Sequence, residues 1–129
     1  KDNMAQSKIK QLLQDPERLS DILSTATYDS PWFAVSVHPD TPEVLYKNTE
    51  FECREDKWAR VLLGGGWLEV EDVEEENSYR IGMKEFEKGF RKFMEECPHN
   101  YANIMEENED FYDADALLQT IVFGEVVYG

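Results

Sequence analysis

The chain holds only two cysteines, Cys53 and Cys97, and two histidines, His38 and His99. One bridge at most is no disulfide framework, and there is no CxxC pair, so neither a stapled scaffold nor a thiolate zinc centre is indicated. Both thiols fall beside expected helical apolar positions, where free Cys behaves as a small buried hydrophobe. Reduced thiols fit a cytoplasmic setting. Cys97-Pro98-His99 is too tight for a ligand pair, and the acids nearby would raise a thiol pKa, which argues against a Cys–His nucleophile. No apolar run approaches the roughly 18 residues needed to span a bilayer, so no membrane partner is expected. Lys1 to Gln14 lacks both a continuous apolar stretch and a small-residue cleavage site, so it does not read as a secretory signal. Met4 reads as the natural start, with Lys1 to Asn3 a remnant ahead of it.

Positive charge is the other scarcity. Against 28 acids stand 13 bases, a net of −15, and no Lys or Arg follows Lys92, where nine acids do. Residues 1–63 carry a net of −3 and residues 64–129 a net of −12. Such a surface repels nucleic acid and anionic lipid and attracts basic partners. The plainer reading is a solvated surface that keeps the protein dispersed. With 129 residues, 41% of them hydrophobic and including seven Phe, six Tyr and three Trp, the chain has the material for one domain, 1–129, with a real core. An acidic disordered tail has neither that apolar content nor those aromatics.

The periodicity predicts helices and a small sheet. Ile9, Leu12 and Leu13 place a short helix over Ser7 to Gln14, and Asp15-Pro16-Glu17 restarts a second that ends near Thr27. Trp32 to Val37 alternates as a strand, with Phe33, Val35 and Val37 on one side. Thr41-Pro42-Glu43 repeats the capping pattern before a helical turn to Tyr46. Arg54 to Leu63 is a helix with Gly64 as its left-handed C-cap. Trp67 to Val73 alternates strictly, Glu74 to Asn77 turns, and Tyr79 with Ile81 returns, giving a hairpin with one buried and one acidic face. Met83, Phe86, Phe90, Phe93 and Cys97 form an amphipathic helix stopped by Pro98. Tyr101, Ile104 and Met105 make another. Asp113 caps a last helix, and Ile121 to Tyr128, apolar nearly all round, is expected deep in the core. The fold class is α+β, a small antiparallel sheet of the hairpin and a third strand packed by about five helices.

No constellation carries recognisable chemistry. Gly64-Gly65-Gly66 follows a helix and precedes a strand and lacks the Lys and Ser or Thr of a phosphate loop. Asp110, Asp113 and Asp115 lack the mid-loop Gly and closing Glu of a calcium loop; Asp113 is better read as a cap and Asp115 as a complement to the helix dipole. Neither a metal nor a cofactor is expected. Glu69 and Glu71 would stand about 7 Å apart on one strand face. That separation suits a glycosidase pair, which needs a deep cleft and sugar-stacking aromatics, and it also matches successive phosphates of a nucleic-acid strand.

Gly89-Phe90, Pro98-His99, Asp110, Asp113 to Leu118 and Phe123-Gly124-Glu125-Val126-Val127-Tyr128-Gly129, with Asp15-Pro16-Glu17-Arg18-Leu19 and Tyr28 to Pro42, resemble small acidic proteins of bacterial prophages and mobile elements. The resemblance implies a cytoplasmic setting, no assigned chemistry and no site residues. In that context a restriction or CRISPR effector would be a natural target. The leading expectation is a non-enzymatic interaction protein whose acidic face meets a basic protein surface, in one form as a nucleic-acid mimic. The residues expected to carry it are Glu69, Glu71, Asp72, Glu74, Glu75 and Glu76, with Glu106, Glu107, Glu109 and Asp110 as a second patch. Two readings of other classes stay open: a small enzyme with an unrecognised site, and an adaptor whose exposed aromatics bind a peptide or a sister subunit.

Overall fold

The structure, a computed structural model, describes residues 2–129, with side chains from Met4 onward; the expectation for Lys1 to Asn3 lies outside those described side chains. Six α-helices and a three-stranded antiparallel sheet follow in the order α1 (Asp2–Leu13), α2 (Pro16–Thr27), β1 (Phe33–Val37), a 3₁₀ turn (Glu43–Leu45), α3 (Arg54–Leu63), β2 (Leu68–Asp72), β3 (Asn77–Ile81), α4 (Met83–Glu96), α5 (Pro98–Met105) and α6 (Phe111–Phe123). The α+β class, the hairpin and the third strand are as expected, with one helix more. No helix among the described residues is long and apolar enough to cross a membrane.

The local chemistry explains the boundaries. Asp15 starts α2 by accepting the backbone N–H groups of Glu17 and Arg18, and Pro16 gives up no donor at the first helical position. In the sheet β2 is central, pairing Val35 with Val70 on one side and Val70 with Tyr79 on the other. Its Leu68, Val70 and Asp72 point inward with Phe33 and Ile81, while the alternate residues point away from the helices. Phe86, Phe90 and Phe93 of α4 meet Leu117, Leu118 and Ile121 of α6, and α2 closes the same core with α3 against the sheet. Trp58, Leu68, Phe86, Phe90, Leu118 and Ile121 all belong to it.

Several local expectations are corrected. Gly64 has φ −84° and it is Gly65, at φ +87°, that makes the left-handed turn after α3. Thr41 does not cap the 3₁₀ turn. Its hydroxyl donates to the Trp67 carbonyl and accepts from the Trp67 N–H, splicing the connector to the start of β2. The cap of α6 is Asp110, whose carboxylate accepts the Asp113 N–H, while Asp113 accepts the Asp110 N–H in return. Helix α6 stops at Phe123 because Gly124 turns left-handed at φ +83°, so the last residues leave the core and Val126 and Val127 are exposed. Cys53 is exposed at the start of α3, not buried, and Cys97 is half-buried at the α4–α5 junction.

Candidate functional site

The sheet is covered on one face only. On its other face lie Glu69 and Glu71 of the central strand, with Trp67 just before it, flanked by Ala34 and Ser36 of β1 and Ser78 and Arg80 of β3. Small flanking residues leave Glu71 exposed, while Glu69, beside Arg80, is half-buried. Register puts Glu71 between Ala34 and Ser78, and Glu69 between Ser36 and Arg80. Arg80 does not neutralise Glu69: its guanidinium lies 4.6 Å over the Trp67 ring and reaches Asp40 at 3.3 Å. Among the described residues no cationic nitrogen lies within ion-pair distance of Glu69 or Glu71.

The hairpin turn adjoins the end of the sheet, with Glu74 and Glu75 close enough to Tyr128 to help raise its pKa. It runs over Val73–Glu76, one residue earlier than the sequence suggested, with Glu74, Glu75 and Glu76 exposed. Glu76 sits at φ +56°, a conformation that costs a non-glycine residue about 1 kcal/mol or more. Asp72 does not belong to the acidic face. It is 2% exposed, accepts the backbone N–H groups of Glu74 and Glu75, and takes the Tyr128 hydroxyl at 2.8 and 2.9 Å. Its position on the inward side of β2 follows from the period of the strand, two residues from Val70.

The second patch divides in the same way. Glu106 and Glu107 are exposed after α5, Glu107 at φ +59°. Glu109 is withdrawn: both its oxygens take the Arg18 guanidinium at 2.9 Å, and Arg18 also donates to the Ile104 carbonyl. That hydrogen bond to Glu109 is the main reason the Arg18 pKa rises, against the effect of its burial. Asp110 is committed to capping. Asp113 joins α5 to α6 by accepting from Asn100 and Asn103. Burial acts to raise its pKa, but the Asp110 N–H and the two amides outweigh burial and hold it below the usual carboxylate range.

A buried polar network that sequence reasoning missed ties the C-terminal residues down. Trp32 Nε1 and Gln119 Nε2 donate to Asp115 at 2.6 and 2.7 Å, so Asp115 is an internal acceptor and not a dipole complement. Gln119 also accepts the N–H groups of Val127 and Tyr128, and Tyr128 stacks on Trp32 at 5.1 Å. Desolvation, then the hydrogen bond to Asp72, pushes the Tyr128 phenol up to about 12. The one sequence signal was a glutamine inside the apolar run of α6. This network is satisfied and closed, and so it reads as a fastening for the chain's end.

No family model, curated protein or solved structure matches this chain. Among the described residues no group of three or more His, Cys, Asp or Glu side chains is arranged to hold a metal ion.

Proposed function

We propose that the protein is a non-enzymatic binding module whose uncovered sheet face and hairpin turn engage a basic protein surface. The observation that carries this reading is the uncovered face of β2, where among the described residues Glu69 and Glu71 have no ion-pair partner, with Glu74, Glu75 and Glu76 exposed at the adjoining turn. Clustered like charges weaken a fold, and solubility alone does not require them on one strand and its turn. Glu69 and Glu71, held about 7 Å apart on one strand face, present spaced negative charge with little ordering cost, the arrangement a nucleic-acid mimic needs. A target built to hold nucleic acid, such as a restriction or CRISPR effector, has the complementary groove, and a mobile-element origin would supply the occasion. Asp72 and Glu109 drop out of the recognition set because their carboxylates are spent inside the fold, while the exposed Asp110 has one oxygen engaged in capping α6.

Association with such a partner should be steered by charge. Exposed charges are screened beyond about 8 Å at physiological ionic strength, so the on-rate should fall steeply as salt rises while the off-rate changes little. Surface-binding kinetics of the complex across a salt series tests this. An on-rate indifferent to salt would mean that apolar contact, not the acidic face, drives binding.

A further inference from the structure

We infer that the cleft between α1 and α5 is a docking groove for a basic amphipathic helix of a partner protein. Both helices pack against α4 but scarcely against each other, which leaves a cleft of about 830 Å³ between them. Leu12, Tyr101 and Met105 supply apolar lining, and Met4 stands at its edge, 71% exposed. Methionine is unbranched and polarizable, so a wall with Met4 and Met105 adapts to apolar side chains of different shape. Glu106 and Glu107 line the same cleft and are exposed. Arg18, also in the lining, is already neutralised by Glu109, so Lys8 is the only unpaired cation of the cleft among the described residues.

An apolar floor under an acidic rim selects one kind of occupant. A helix laying apolar residues at i, i+3 or i+4 and i+7 into the groove would bring flanking Lys or Arg side chains to Glu106 and Glu107. An acidic helix would meet repulsion there, and nucleic acid has no apolar stripe to offer the methionines. This surface is separate from the uncovered sheet face, so either can fail without the other.

The four methionines give a local readout. The chain, labelled at its methionine methyl groups, is titrated with a synthetic helical peptide of leucine and lysine and, separately, with its leucine–glutamate counterpart. The lysine peptide should shift Met4 and Met105 and leave Met83 and Met94 in place; the glutamate peptide should shift none. The pair Glu106→Lys, Glu107→Lys should weaken binding at least about tenfold, while Glu69→Lys, Glu71→Lys leaves the Met4 and Met105 shifts intact. Unmoved Met4 and Met105 signals, or equal response to both peptides, would overturn the assignment. So would concentration-dependent dimerisation of the chain alone that shifts the same two methyls, since the occupant would then be a second copy.

Discussion

Gly89→Ala is a substitution whose sign only the tertiary structure decides. In an isolated helix alanine is better than glycine by about 1 kcal/mol, so α4 by itself would be stabilised. At this position, however, an added Cβ would lie 2.5 Å from the Ile121 Cα and 2.6 Å from its Cγ1. The nearer of those is backbone and cannot rotate away. To reach ordinary contact near 3.5 Å, α4 and α6 must part by roughly 1 Å, which forfeits about a quarter to a half of the dispersion energy of the facing atoms. Phe86, Phe90 and Phe93 all pack in that region, and overpacking of a tight core costs about 1–3 kcal/mol, here toward the upper end. The net expectation is a loss of about 1–2 kcal/mol once the propensity gain is subtracted. Urea unfolding followed by tryptophan fluorescence should show a lower midpoint with an unchanged slope. Lys88→Ala, exposed on the same helix, should stay near wild type. A Gly89→Ala protein as stable as wild type or more so would refute the close approach of α4 to α6.

Two further outcomes separate structural acids from free ones. Glu109→Ala should cost about 1–3 kcal/mol, because Arg18 loses its paired hydrogen bonds and keeps only the Ile104 carbonyl and Asp21 at 3.7 Å; Glu106→Ala, exposed, should change chemical stability by less than about 0.5 kcal/mol, and equal losses in urea would contradict the division of the second patch. Asp113 has a folded pKa held below its unfolded value of about 3.9, so the stability it adds is present above that value and is lost as pH falls through the folded one. The stability gap between wild type and Asp113→Asn should therefore shrink as the solution is acidified below about pH 4, and a gap that stays constant would show that its bonds to Asn100 and Asn103 do not depend on charge.

What the sequence disclosed follows from period. The steps between Met83, Phe86, Phe90 and Phe93 mark α4, and the alternation of Leu68, Glu69, Val70 and Glu71 fixes which residues leave the core; both persist in the fold. The same alternation already placed Asp72 with the inward set. Its charge suits the acidic face, but strand parity outweighs charge in placing it. Glu109 and Asp110 were hidden for another reason: their partners, Arg18 and the α6 N-terminus, become neighbours only through tertiary packing or a cap shifted by three residues. Gln119 shows the limit most clearly. Its bonds run to Asp115 one turn away and to a chain end that reverses at Gly124, a reversal that apolar composition alone did not reveal.

The central claim is that recognition resides in the placement of Glu69 and Glu71, beyond the acidity of the chain as a whole. Affinity capture from the source cells at low salt supplies the partner, and its dissociation constant is then measured for two variants of equal net charge. In Glu69→Lys, Glu71→Lys the reversal falls on the uncovered sheet face; in Glu50→Lys, Glu52→Lys it falls on an exposed loop before α3. The first pair should abolish binding while circular dichroism and the urea midpoint remain those of a folded protein, and the second should weaken it only a few-fold, roughly in step with net charge. Binding by the first variant as tight as wild type, or an equal loss in both, would contradict the account and leave the acidic face as a solvated surface.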